Sequence, residues 1–250
     1  CLDRIYTGGE ALCIHNPATG REAGMPHEIA PGDGPARKVV VVGAGPAGLE
    51  AARVASARGH GVVLFEAAPE AGGQVRLTAR SPRRREMIGI VDWRMERCAD
   101  QGVDFRFSTM AEGDDVLSET PDDVVIATGG LPNTGVLAAG NDLVVSTWDI
   151  LAGDVAPGRR VLLYDDAGGH AAMQTAEAVA EAGAALEIVT PERGIGVEIG
   201  NLNLAPHIRA MQRRGFRVTP FRRVAAVERA GNALRATPSS DYGPSTEARA

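Results

Sequence analysis

The sequence predicts an α/β protein of three layers, with mostly parallel sheets. Three observations carry that expectation. Short apolar runs are continuous rather than alternating, as in strands buried on both faces. Twice along the chain such a run is followed by an alanine-rich helical stretch and a further apolar run. Glycine is abundant, at 31 of 250 residues, while aromatics make up 4%, which suits glycine-turned α/β domains better than an all-β sandwich.

The elements follow in order. Residues 1–37 hold four prolines and several glycines and keep no period of 2 or 3.6, so they read as irregular, ending in a Gly32-Asp33-Gly34-Pro35 linker. Lys38 to Val42 is a buried strand, Gly43 to Gly48 a turn, Leu49 to Arg58 a helix and Val62 to Glu66 a second strand. Strand, helix and strand make a right-handed βαβ unit. A helix is expected over Arg83 to Gln101, a strand near Val103 to Phe107, and a buried strand from Asp122 that ends in a glycine turn at Gly129-Gly130. A second βαβ unit follows: strand Arg160 to Tyr164, helix Gly169 to Ala182, strand Ala185 to Thr190. A short helix is expected over Pro206 to Arg214, a strand over Phe216 to Thr219, a weak hairpin over Arg223 to Ala236 and a frayed end from Ser239.

Composition narrows the function. The charge balance is −6, from 26 basic and 32 acidic residues, which argues against a nucleic-acid backbone or an anionic membrane as the main partner. Three cysteines exclude a disulfide-rich secreted scaffold. Neither a signal peptide nor an apolar run long enough to span a bilayer is visible, so the expectation is a cytoplasmic protein.

Gly43-Ala44-Gly45-Pro46-Ala47-Gly48 matches G-x-G-x-x-G. In so glycine-rich a chain the pattern recurs by chance about once in every two sequences, so its context decides. The glycines lie between a buried strand and a helix, and Glu66 ends the next strand 23 positions after Gly43. Gly43 permits a tight turn, Gly45 lets the backbone approach a pyrophosphate, and Gly48 allows close helix–strand packing. The helix N-terminus offers free N–H groups to the phosphates. Glu66 can accept hydrogen bonds from ribose hydroxyls and would repel a 2′-phosphate.

Four motifs in order, Val41 to Leu49, Glu66 with Ala67, Gly72-Gly73-Gln74 and Ile126-Ala127-Thr128-Gly129, resemble the signature of two-dinucleotide-domain flavoproteins. The resemblance implies two Rossmann-like domains of the FAD/NAD(P)-binding type. It places FAD, or its ADP half, against Gly43 to Gly48 and Glu66. Gly72, Gly73 and Gln74 then lie near the flavin nucleotide, and Ala127, Thr128 and Gly129 where the chain passes between domains.

The front of the chain narrows the family. Cys1 and Cys13, separated by eleven residues and followed by Ile14-His15-Asn16-Pro17, resemble the end of the iron–sulfur segment of the trimethylamine dehydrogenase and 2,4-dienoyl-CoA reductase family, related to Old Yellow Enzyme. That resemblance implies that Cys1 and Cys13 are two of the four thiolate ligands of a [4Fe–4S] cluster. The other two would lie upstream, after an N-terminal FMN-binding barrel. Cys98 reads as a buried small hydrophobe. Nothing after Ala236 resembles the family's late G-D motif, so the expectation is a truncated FAD domain with weak FAD affinity.

The second βαβ unit departs from the pattern. Asp165, Ala167 and His170 stand where the three glycines would be, and Asp165 with Asp166 brings negative charge toward a pyrophosphate. Each such charge pair costs roughly 4 kcal/mol at 4 Å and an effective dielectric of about 20. Ala167 would crowd the backbone approach and His170 the helix packing. The expectation is a retained fold with NAD(P) binding lost. No histidine shows metal spacing or a paired acid, Trp93 and Trp148 read as packing residues, and Arg83-Arg84-Arg85 reads as a solvated helix start.

The chain therefore divides into an iron–sulfur segment and linker (1–37), an incomplete FAD- or ADP-binding domain (38–157), a degenerate NAD(P)-type domain (158–238) and a tail (239–250). The resemblance implies the electron-transfer portion of an amine or N-methyl amino acid dehydrogenase or demethylase. Electrons would pass from FMN through the cluster to electron-transferring flavoprotein, in a homo-oligomer when full length. Two alternatives stand beside it: a dienoyl-CoA or enoate reductase using NAD(P)H, and a non-catalytic ADP-binding scaffold.

Overall fold

The computed structural model describes residues 2–243 and divides into two compact units, one ending at Gly130 and the other beginning at Leu131. Both are three-layer α/β units with a parallel sheet at the centre.

In the first unit, α1 (Leu2–Tyr6) precedes β1 (Lys38–Val42), α2 (Pro46–Ala57) and β2 (Gly61–Phe65). Then come α3 (Gln74–Ala79), a 3₁₀ turn over Pro82–Ile88, α4 (Gly89–Asp100), β3 (Asp104–Arg106), α5 (Gly113–Ser118) and β4 (Asp123–Ile126). The short α1 lies within the stretch expected to be irregular. The helix expected over Arg83 to Gln101 divides at Gly89, after a non-helical Arg84.

The sheet order is β3-β2-β1-β4, all parallel, with Val42 level with both Phe65 and Ile126. The order reverses beside β1, so the crevice beyond its carboxyl end is where such folds take a ligand. Both faces of β1 are covered. Val39 and Val41 pack with Leu49, Ala52, Leu64 and Cys98, and Val40 packs on the opposite face with Val63, Phe65 and Val116. Burial on both faces is the physical reason the run Val39 to Val42 carries no alternation.

The second unit contains α6 (Thr147–Ala152), β5 (Arg160–Tyr164), α7 (His170–Glu181), β6 (Ala185–Val189), α8 (Asn201–Gln212) and β7 (Phe216–Thr219). A hairpin, β8 (Arg223–Ala230) with β9 (Ala233–Ser239), follows. Its parallel sheet runs β5-β6-β7. Met173, Ala176, Val179, Ile188 and Met211 fill the core on the helix side. On the other face Val189 and Tyr164 pack against Val224, Val227 and Leu137, so a hairpin takes the place of a helical layer.

Helix α8 starts five residues before the expected short helix and carries Pro206 inside it. Proline there removes one backbone hydrogen bond. His207 and Met211, each fully buried, fix the helix by the face that follows.

Candidate functional site

Two glycines of the first unit's nucleotide loop, Gly43 and Gly48, leave no room for a side chain. Gly43 leaves β1 at φ +103°, and a Cβ there would lie 2.4 Å from the Ala127 carbonyl oxygen. A Cβ on Gly48, the third residue of α2, would lie 1.8 Å from the Gly43 carbonyl oxygen. Helix and loop are therefore in backbone contact. Gly45 caps α2 with extended backbone, and nothing lies within 4 Å of its Cβ direction. That open side, at the N-terminus of a twelve-residue helix opened by Pro46, is a cradle a side chain would fill.

The other sequence-predicted residues gather around this loop. Glu66 accepts a hydrogen bond from the Ala44 amide at 2.7 Å and, through its second oxygen, one from Ala68 at 2.8 Å. Ala67 lies between them, exposed. The Gly72 amide donates to the Ala44 carbonyl at 2.9 Å. Gly73, at φ +50°, directs its Cβ position to within 3.5 Å of the Gly45 Cα. Gln74 Nε2 donates to the Gly130 carbonyl at 3.3 Å, joining the Gly72-Gly73 turn to the end of β4. Ala127 packs behind Gly43 and Gly48, with Thr128 and Gly129 exposed beyond it. Pro46 and Ala47 form the first turn of α2. These residues suit the diphosphate and ribose of a dinucleotide, which brings redox chemistry only when its flavin is present.

Cys13 stands apart from the loop, and Cys1 lies outside the described residues. Cys13 sits in a turn organised by Asn16, whose side chain accepts from the Ala18 amide at 3.0 Å and whose carbonyl accepts from Thr19 at 3.2 Å. Hydrogen bonding from the Asn16 amide, then from His15, holds the Cys13 thiol below its usual range, and the Thr19 hydroxyl adds to it. A thiol that ionises more readily than usual suits an iron–sulfur ligand, which binds as the thiolate. Cys98 is the opposite case. It is fully buried, and burial pushes its thiol up to about 11. Among the described residues no group of three or more His, Cys, Asp or Glu could hold a metal ion.

The second unit's loop is two residues longer than the first, running from Asp165 to Gly169. Asp165 is 2% exposed. One carboxylate oxygen accepts from the Gly168 amide at 2.8 Å and from Ala167 at 3.3 Å, while Oδ2 is buried with no partner. Burial raises its carboxyl above the usual range. Gly168, at φ +64°, abuts Val197, and its carbonyl accepts from the Glu198 amide at 3.1 Å. The expected crowding by Ala167 and His170 is corrected: Gly169 caps α7, His170 merely opens it, and Ala172 is the third helical residue. The loop is filled by its own carboxylate and covered by Val197 and Glu198.

Histidine needs a second correction. His207 Nδ1 lies 2.7 Å from Glu177 Oε2 in a buried pair, with the His170 ring 6.3 Å away. Glu177, on the same buried stretch of α7 as Met173, Ala176 and Ala180, is the signal in the sequence. The sequence reading also passed over Arg94. It lies on the buried face of α4 with Ile90 and Cys98, a spacing of four that places a cation where an apolar residue belongs. A cleft of about 810 Å³ in the second unit lies between the β5–β6 face and the hairpin, and of the second loop Asp166 alone lines it.

Comparison with known proteins places this architecture. Residues 41–95 match the NAD(P)-binding Rossmann-like domain family. The chain is 60% identical over 243 residues to a probable N-methylproline demethylase of Rhizobium meliloti, covering 97% of this chain and 36% of that protein. It is 44% identical to N,N-dimethylglycine/sarcosine dehydrogenase of Chromohalobacter salexigens, covering all of this chain and 37% of that protein. Histamine dehydrogenase from Rhizobium sp. superposes with a TM-score of 0.85 at 28% identity, over 98% of this chain and 39% of the other. The chain thus spans a little over a third of the length of the curated relatives it matches. By these likenesses the chain is similar to part of a probable N-methylproline demethylase and of dehydrogenases of dimethylglycine, sarcosine and histamine.

Proposed function

We propose that this chain is the electron-transfer portion of a flavin-dependent dehydrogenase that demethylates amines or N-methyl amino acids and does not use NAD(P)H. The observation that carries the reading is the second nucleotide loop, closed by Asp165 from within and by Val197 and Glu198 from outside. A reductase fed by nicotinamide needs that loop open for a pyrophosphate. The names of the relatives, a demethylase and dehydrogenases of methylated or simple amines, support the same substrate class.

In this reading Gly43 to Gly48 and Gly72 to Gln74 hold the phosphates and neighbouring atoms of FAD or ADP, and Glu66 holds the ribose. Cys1 and Cys13 supply two ligands to a [4Fe–4S] cluster completed by cysteines outside this chain. When bound, the cluster and the flavins, including FMN in a barrel outside this chain, supply one-electron transfer. The acceptor is electron-transferring flavoprotein. This chain's own residues orient and bind; none of them touches the amine.

The test is anaerobic reduction of the intact protein. N-methylproline, sarcosine or dimethylglycine bleaches the flavin within the turnover time, and NADH or NADPH does not. Rapid bleaching by either nicotinamide overturns the reading. Mass spectrometry of the heat-released ligand separates FAD from ADP.

A further inference from the structure

Strand β5 stands at an edge for which its sequence is not built. On one side it is held by β6: the Asp165 amide donates to the Val189 carbonyl at 2.9 Å, and the Ala185 amide to the Arg159 carbonyl at 2.8 Å. In a parallel ladder the N–H and C=O of one residue point to the same side, and successive residues alternate. Leu162 and Tyr164 therefore direct their peptide groups to the other edge of β5, where among the described residues no strand lies.

The first unit shows what such an edge receives. β1 pairs with β2 in the same register as β5 with β6, and the Gly43 amide donates to the Phe65 carbonyl as Asp165 does to Val189. The other edge of β1 is taken by the parallel strand β4. There the Lys38 carbonyl accepts from the Asp122 amide and the Val42 carbonyl from Ala127, both at 2.8 Å. Val40, at the centre of β1, is 0% exposed, whereas Leu162, at the same place in β5, is 36% exposed. Between Arg160 and Tyr164 the strand reads Val161-Leu162-Leu163, with no charge, proline or bulge to protect an edge.

The space beside β5 has the matching shape. All five residues of the strand line the cleft of about 810 Å³. Successive side chains of a strand point to opposite faces, so a cleft that meets all five runs along the edge. Val136, Val145, Leu186 and Leu234 give it apolar walls. Direction and order select the occupant. A second copy related by a two-fold axis would lay β5 antiparallel against itself, while every pairing within both central sheets is parallel. In the first unit the strand on this side arrives last, after β3 and α5. The curated relatives extend well beyond the matched region, which is 36% and 37% of their length.

We propose that the cleft seats a fourth parallel strand, supplied by the same protein from the segment that follows Ala250, and that this strand bonds the Leu162 and Tyr164 peptides as β4 bonds β1. One of its faces meets the core around Met173 and Ile188, the other the hairpin. Buried on both, it is a continuous run of about five apolar, mostly β-branched residues.

The experiment uses the intact protein. p-Benzoylphenylalanine is placed at position 162 and photo-crosslinked in a mixture of heavy- and light-isotope chains, while hydrogen exchange is followed residue by residue in the unsubstituted protein. The crosslink joins position 162 to residues beyond Ala250 of the same chain. The Leu162 and Tyr164 amides exchange at least about a thousandfold more slowly than in a free peptide, as slowly as Val161 and Leu163 on the β6 side. A crosslink between heavy and light chains, or to any other segment, overturns the proposal, as do Leu162 and Tyr164 amides that exchange at loop rates. Where the substitution disturbs folding or no crosslink forms, the exchange rates decide, and protection that falls on dilution counts for a second copy and against the proposal.

Discussion

Replacing Asp165 by Asn will stabilise the second unit at neutral pH and cease to do so in acid. The wild-type carboxylate places one oxygen on two loop amides, at 2.8 and 3.3 Å, and leaves the other buried with no partner. An unpartnered buried acceptor costs about 1–3 kcal/mol, more when charged. Asn keeps the accepting oxygen and puts a neutral amide nitrogen in place of the unpartnered anionic oxygen, so it recovers the part of that cost that comes from the charge. It also gives up the favourable interaction of an anion with the N-terminus of α7, about 0.3–1 kcal/mol. The net gain is about 1 kcal/mol at pH 7.5, the difference between those two effects.

The pH dependence has a definite sign. Burial raises the folded-state carboxyl above its usual value of 3.8, with repulsion from Asp166 and Glu192 adding to it. The folded protein therefore holds that proton more tightly than the unfolded chain does. The group costs stability above its folded value, and the cost vanishes as pH falls below 3.8. Urea unfolding of wild type and Asp165→Asn, followed by circular dichroism from pH 3.5 to 8, should show a difference that grows with pH. A flat difference across that range, or a variant less stable at pH 8 than at pH 4 relative to wild type, refutes the argument.

Three further outcomes follow from the first unit. Gly48→Ala places a methyl group against a backbone carbonyl that lies 1.8 Å from the Cβ position, so helix and loop must part. The loss is about 3 kcal/mol or more in chemical unfolding, with no nucleotide retained on purification. Glu66→Gln keeps an acceptor for the Ala44 amide but loses the one for Ala68 and the charge proposed to meet the ribose; calorimetry should show ADP affinity about tenfold weaker. In cluster-free protein at pH 8, iodoacetamide should label Cys13 and spare Cys98, whose thiol at about 11 is ionised in about one molecule in a thousand. Peptide mapping reads this directly, and labelling of Cys98 before unfolding would contradict its burial.

The parts legible in sequence were those set by backbone sterics and burial on two faces. The run Val39 to Val42, the glycines Gly43 and Gly48 and the carboxylate at the end of β2 each answer to a local constraint that admits few residue types. The parts that were not legible depend on groups distant in sequence. Arg94 meets Glu50 and His15 across 44 and 79 residues, and Glu177 meets His207 across 30. The second loop was read as unlike the first, and Asp165 was rightly singled out, whereas the crowding expected from Ala167 and His170 is absent. Its departure lies in two extra residues and an inward carboxylate, with the helix starting at His170.

The two loops make the two units differ in how a nucleotide protects them. The first keeps its helix N-terminus open to a guest, so its unfolding free energy rises with the logarithm of nucleotide concentration, by about 2.7 kcal/mol at one hundred times the dissociation constant. In the function proposed above, the second, whose loop is completed by Asp165, gains nothing from added nucleotide. Nucleotide supply therefore acts as a stability control on one half of the chain alone. Where nucleotide is scarce, the first unit is the half exposed to proteases, and the second keeps its full stability.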